Sequence, residues 1–230
     1  NSGSFPPAVH HFSLQYTKYS REKMASSGGR SLAVGHISDF QIRPNQRNGV
    51  CTMGRLFGTD GARGVANSEL TCELAMKIGR AAAMVLTESC AHKPKVLIGM
   101  DTRASSHMLA SAISAGLCSV GADVLIIDVV PTPAVAFLVK EYDYDAGVMI
   151  SASHNPCEYN GIKIFQGNGY KLPDELENEI EEIILDETKV PPVVLGGDVG
   201  KISFSSKAVD DYIFHLAMTA DGDFKGMKIA

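Results

Sequence analysis

Between residues 70 and 187 the spacing of apolar positions switches repeatedly between helical and strand periods. "LTCELAMKIGRAAAMVLTE" (70–88) repeats apolar residues every three to four positions, which predicts an amphipathic helix. "KVLIGM" (95–100) is a short continuous apolar run and reads as a buried strand. "SSHMLASAISAGLCSVG" (105–121) returns to the helical period, with a serine cap at its start and Gly121 at its end. "ADVLIID" (122–128) reads as a strand. "PTPAVAFLVKEYD" (131–143) reads as a helix with Thr132 at the N-cap and Pro133 at the first helical position. "AGVMIS" (146–151) and "GIKIFQ" (161–166) are further strands, and "LPDELENEIEEIILDE" (172–187) is an acidic amphipathic helix opening at Pro173. Strands alternating with helices predict a layered α/β domain with a mostly parallel, mixed sheet between helices.

The flanks differ. A Pro/Gly-rich connection covers 188–201, a short helix is expected over 207–218, and "FKGMKIA" (224–230) reads as the opening of another strand. A strand cut off after its first residues suggests a piece of a longer protein, so 207–230 is assigned to a connecting helix and the start of a second α/β domain. Residues 1–52 are rich in Ser, Gly, Pro and Arg and lack sustained periodicity. They are expected to be a disordered, dispensable extension, with Met53 as the natural start; their Ser/Arg bias only faintly resembles a transit peptide. The main domain is placed at 53–206.

Charge and cysteine content narrow the function. The net charge is −5. Residues 1–52 carry six Lys/Arg against Glu22 and Asp39, a balance of +4, so the remainder carries −9. Such a body lacks the clustered cations that nucleic acid demands. The five cysteines are odd in number and dispersed, which suggests neither a disulfide framework nor a zinc site and points to a reducing cytoplasm. No apolar stretch approaches the length of a membrane span, and no signal peptide is recognisable.

Ligands of α/β sheets gather beyond the carboxyl ends of strands. Three such ends are polar here: Asp101-Thr102-Arg103, Pro131-Thr132-Pro133, and Ser151 to Pro156. The last, in "MISASHNPCEYNGIKIF", places Ser153 beside His154 with Lys163 in the next apolar run. Ser153 can be a plain turn residue, a nucleophile activated by a neighbour, or the carrier of a phosphoryl group clamped by cations. No G-x-S-x-G elbow and no P-loop occurs, which weakens a hydrolase or a nucleotide-binding reading. A second candidate, "RLFGTDGARG" (55–64), offers glycines for close backbone approach and Arg63 for gripping a phosphate. The "DTR" triplet reads as structural, Asp101 and Thr102 bonding backbone ahead of a helix. His92, His107 and His215 read as surface or helix residues.

Taken in order, "FGTDGARG", "GMDTR", "PTPAV", "ISASHNP", "NGIK" and "YKLPDE" resemble the amino-terminal part of the α-D-phosphohexomutases, over roughly residues 53–230, and most closely their bacterial members acting on glucosamine phosphate. The resemblance implies that Ser153 is phosphorylated in the active enzyme. It donates its phosphoryl group to a sugar monophosphate and recovers the other phosphoryl of the resulting sugar 1,6-bisphosphate, which also serves as activator. It further implies that Lys163 and Arg63 line the phosphoryl site with Thr59, that His154 assists proton transfer, that Asn155 shapes the loop and contacts phosphate, and that Mg²⁺ binds a phosphoserine oxygen. The family's "DGDGDR"-type aspartate loop, which holds that metal, is absent from this chain, so the chain alone is expected to be inactive. Met100 and Ser106 stand where relatives often carry Lys and Gly. The implied partner is a phosphosugar, with no nucleic acid or membrane; a homodimer of the full-length protein is compatible with it. The alternatives are a mutase of the same family preferring mannose or glucose phosphate, and a catalytically silent interaction fragment.

Overall fold

The computed structural model describes residues 56–58, 61–87, 90–186, 188–189, 191–222 and 224–228. The extension assigned to 1–52 and the candidate Thr59 lie outside the described residues. Within them, strands β1 (Phe57–Gly58), β2 (Gly61–Val65), β3 (Lys95–Met100), β4 (Asp123–Val129), β5 (Ala146–Ile150), β6 (Tyr159–Gln166) and β7 (Ile202–Phe204) form one sheet ordered β1-β2-β6-β5-β3-β4-β7. Five helices accompany it: α1 (Cys72–Thr87), α2 (Ser106–Ser119), α3 (Thr132–Glu141), α4 (Asp174–Leu185) and α5 (Ala208–Thr219).

Topology follows from connection length. The β3–α2–β4 and β4–α3–β5 crossovers are long enough to return each strand parallel, and β3 pairs in parallel with both β4 and β5. Only the eight residues 151–158 join β5 to β6, which is too short for a crossover, so this pair is antiparallel. β2 pairs antiparallel with β6 and β1 with β2, while β7 extends the parallel half beside β4. The sheet is therefore mixed, with a larger antiparallel share than the apolar pattern alone implied.

Helices cover both faces. Val96, Ile98, Met100, Val148, Ile150, Ile162 and Ile164 point to one face, beneath Ile78 of α1, Ile113 of α2 and Ile180 of α4. Leu97, Leu125, Ile127, Met149 and Phe165 point to the other, beneath Val135 and Leu138 of α3 and Ala208 of α5. This is the period-2 alternation of a sheet buried on both sides. α1 and α2 touch backbone to backbone: a Cβ on Gly116 would lie 2.3 Å from the Met76 carbonyl oxygen. α5 rests on α3, where His215 stacks on Phe137 at 3.8 Å between ring centroids and the Tyr142 hydroxyl donates to Asp211 at 2.6 Å. Tyr142 is pushed up to about 12 by burial and by the Asp211 carboxylate.

Three local readings need correction. Ser105 occupies the N-cap of α2 but makes no side-chain cap bond, because its hydroxyl accepts from Asn160 instead. The N-cap of α3 is Pro131, not Thr132, and Thr132 is the first helical residue. The strand expected over 224–230 is absent among the described residues 224–228: Gly226 has φ +81° and the Met227 N–H closes a turn on Phe224. The β1–β2 hairpin arises where the sequence suggested a Gly-rich connection, and β7 directly after the connection placed at 188–201, where no element was expected. No helix among the described residues is long and apolar enough to cross a membrane.

Candidate active site

β4 and β5 lie on opposite sides of β3, so the chain reverses its direction of travel across the sheet at this point. Successive crossovers of the same hand must then lie on opposite faces, as α2 and α3 do, and their divergence opens a crevice beyond the carboxyl ends of β3 and β5. Those ends carry Asp101–Arg103 and Ser151–Pro156. β6 begins and β2 ends at the same edge, since Val65 pairs with Tyr159 and Arg63 with Gly161.

The serine loop is held by its backbone. Ser153 has φ +57°, the left-handed region that a non-glycine residue adopts only when its surroundings impose it. Its N–H donates to Ser151 Oγ at 3.1 Å, and the Asn155 N–H donates to the Ala152 carbonyl at 3.1 Å. Arg103 is the main clamp. One terminal nitrogen, Nη1, donates to the carbonyls of Pro156 (2.6 Å) and Tyr159 (3.0 Å), and Nη2 donates to those of Ser153 (3.0 Å) and Asn155 (2.9 Å). Four carbonyls of one loop thus converge on one guanidinium, whose planar fork suits such a task better than a lysine.

Arg103 is itself positioned from behind. Its Nε donates to Asp101 Oδ2 at 3.0 Å, and its N–H to Oδ1 at 3.0 Å. The Ser106 hydroxyl donates to the same Oδ1 at 2.8 Å. Burial alone would raise the Asp101 pKa, but hydrogen bonds from the Arg103 N–H, Ser151, Ser106 and the Arg103 guanidinium hold it below the ordinary carboxylate value. Asn160, fully buried, donates to Ser105 Oγ (2.9 Å) and Ser106 Oγ (3.1 Å) and accepts the Gly161 N–H (2.8 Å). A connected polar network of this kind fixes one loop geometry.

With its backbone fixed, Ser153 presents an exposed side chain, and its Oγ stands 3.4 Å from Nδ1 of the equally exposed His154. Arg63 and Lys163, both half-buried, share one sheet face: Arg63 lies opposite Gly161, two residues before Lys163. A Cβ on Gly161 would meet the Ser151 carbonyl at 2.7 Å and Arg63 Cγ at 3.0 Å, so the glycine lets the arginine side chain lie beside the loop. The structure therefore gathers Ser153, His154, Asn155, Arg63 and Lys163 at one edge. The depth of the support was not legible: Arg103 entered only within a triplet read as structural, and Asn160 only as the first residue of "NGIK", with no role assigned. An arginine closing the neighbouring strand-end loop was the available signal.

A two-faced α/β sheet with an exposed serine on a backbone-clamped loop at its switch point defines the class: an α/β/α domain with its polar loops gathered at the carboxyl edge of the sheet. Residues 54–191 match the family profile described as phosphoglucomutase/phosphomannomutase, alpha/beta/alpha domain I, and the chain belongs to that family as its amino-terminal portion. A phosphoglucosamine mutase of Clostridium botulinum (strain 657 / Type Ba4) is 57% identical over 179 residues, covering 77% of this chain and 40% of the relative. The phosphoglucosamine mutase of Ruminiclostridium cellulolyticum is 55% identical over 178 residues, with the same two coverages. The chain thus spans about 40% of the length of these curated relatives. Among solved structures, a phosphoglucomutase/phosphomannomutase family protein from Burkholderia thailandensis shares the fold with a TM-score of 0.61 at 24% identity, covering 72% of this chain and 36% of that one.

Proposed function

We propose that the protein containing this chain is a phosphoglucosamine mutase that interconverts glucosamine 6-phosphate and glucosamine 1-phosphate in the cytoplasm, and that Ser153 is its phosphoryl carrier. The reading rests on the names of relatives at 55–57% identity and, above all, on an exposed Ser153 whose backbone is fixed by Arg103. In the forward step the P–O bond to Ser153 breaks as a P–O bond to the free sugar hydroxyl forms. The hydroxyl proton leaves to a base, for which His154 is the candidate, and the Ser153 oxygen departs. The sugar 1,6-bisphosphate then returns its other phosphoryl group to Ser153 with the reverse proton movement. Such transfers need positioning and charge neutralisation above all. Arg63 and Lys163, with Thr59, supply neutralisation, and Asn155 holds the loop. The domain carrying this chemistry is 53–206.

Mg²⁺ is part of this reading, but the described residues do not build its site. The ion requires near-octahedral oxygen coordination. Here the Asp101 carboxylate is occupied by Arg103, Ser106 and Ser151, so the ligand this reading offers at the serine loop is a phosphoserine oxygen at Ser153. Mg²⁺ when bound would neutralise phosphoryl charge, and its remaining ligands belong elsewhere in the full protein.

The test is turnover of glucosamine 6-phosphate by the full-length protein with Mg²⁺ and bisphosphate primer. Ser153→Ala should fall to background while keeping the wild-type melt. Ser151→Ala, which loses the hydrogen bonds to the Ser153 N–H and to Asp101, should retain much of the turnover. Full turnover by Ser153→Ala would sink the assignment, and a preference for mannose or glucose phosphate would move the protein within its family.

A further inference from the structure

At the opposite edge of the sheet, Cys90 and His92 in the connection from α1 to β3 meet Asp145 at the start of β5. We propose that Cys90, His92 and Asp145 form a site for a late first-row divalent metal of the zinc class, distinct from the Mg²⁺ of the phosphoryl chemistry. Among the described residues this is the one group of three metal-competent side chains whose ligand atoms converge, all within 4.8 Å of one another.

Two of the three ligand spacings match the edges of a tetrahedron. Zinc bonds of ~2.0–2.3 Å to N, O and S place neighbouring ligand atoms ~3.3–3.8 Å apart. His92 Nε2 lies 3.4 Å from Asp145 Oδ1, and Cys90 Sγ lies 3.6 Å from the same oxygen. The His92–Asp145 distance is long for a good proton-held contact and right for two vertices sharing a cation.

The surrounding bonds orient the ligands as metal sites do. His92 Nδ1 lies 3.1 Å from the Lys93 carbonyl, which can only accept, so a proton on Nδ1 is held there and Nε2 is the ring nitrogen that faces Asp145. Nε2 and the Asp145 carboxylate oxygen thus face each other across a span that a shared cation can occupy. The other Asp145 oxygen, Oδ2, accepts the Lys95 N–H at 2.8 Å, which fixes the carboxylate's direction. Three protein ligands leave a fourth position for water. The ion would staple the α1–β3 connection to β5, and five strand residues, ~17 Å, separate it from the serine loop. Dispersed in sequence, the three residues give no recognisable motif; parallel β3 and β5 bring their amino ends, and so these side chains, together.

Cobalt(II) titration of the reduced, metal-free chain reads the site directly. One equivalent should bind with a thiolate-to-cobalt charge-transfer band and the intense visible bands of tetrahedral Co²⁺, and Zn²⁺ should displace it. Cys90→Ser should abolish the charge-transfer band, His92→Ala should weaken binding at least tenfold, and Cys157→Ser and Cys51→Ser should leave both unchanged. Zn²⁺ should raise the melting temperature of wild type and not of Cys90→Ser. Absence of the band in wild type, or a band that survives Cys90→Ser, overturns the proposal. So does a protonated His92 imidazole, seen by NMR at neutral pH, that added zinc leaves unperturbed: a proton would then be the shared cation.

Discussion

Arg103 carries more of the candidate site than any residue that would touch substrate. It spends both terminal nitrogens on four carbonyls of the serine loop and its Nε on Asp101. Arg103→Lys keeps the charge and loses the fork, so Ser153 should wander. In the full-length enzyme kcat should drop ~10²-fold, the scale of an ångström-sized misplacement, with KM much less affected. A kcat within twofold of wild type would show that the loop is held by something else. Asp101 adds a pH signature. Its folded pKa is depressed, so its stabilisation is present above the unfolded value and is lost as pH falls through the folded one. Wild type should therefore lose thermal stability more steeply below about pH 4 than Asp101→Asn, which starts lower and falls less. Parallel curves would contradict the role given to this carboxylate. Ser153 and His154 were legible because they sit in a polar loop straight after an apolar strand. The Asp101–Arg103–Asn160 support was not, because its members, some sixty residues apart, become neighbours only when β3, β5 and β6 align.

The helices and parallel strands were readable because each keeps one period over many residues, and burial of both sheet faces enforces it. The hairpin and β7 were not. Two-, five- and three-residue strands are too short to show a period, and the glycines of the first two read as loop. Two packing details carry measurable weight. Gly116→Val would drive a side chain into the α1 backbone, at a cost of about 2–3 kcal/mol, or a melting point lower by roughly 4–12 °C; an unchanged melt would mean that the helices can part freely. Glu177 of α4 is 2% exposed and is met at 2.8 Å by Lys171, whose pKa is raised by that carboxylate and by Asp174 against the opposing effect of burial. Lys171→Met strands the carboxylate and should cost ~1–3 kcal/mol. Adding Glu177→Met should recover most of it, as replacing both partners of a buried pair often does. A double variant no better than the single would place the cost in lost packing.

Across the molecule the two edges of one sheet have different chemistry. The carboxyl edge offers a serine among cations, and the amino edge a cysteine, a histidine and an aspartate. The exposed apolar residues Ile213, Phe214 and Met218 of α5 and Phe204 of β7 lie on the elements that close the chain's described part, in a protein whose curated relatives are about two and a half times as long as the matched segment. The chain spans about 40% of the length of its curated relatives, and the 230-residue chain by itself should show no mutase turnover. If the clamped loop carries a phosphoryl group on Ser153, that group can be weighed. Its most direct measurement is the mass of the loop peptide from full-length protein incubated with glucose 1,6-bisphosphate and Mg²⁺. The peptide should gain one phosphoryl group, mapped by fragmentation to Ser153, absent from Ser153→Ala and removed by glucosamine 6-phosphate. A phosphoryl group on Ser151 or elsewhere, or a loop peptide that stays unmodified while the enzyme turns over, would contradict the assignment to Ser153.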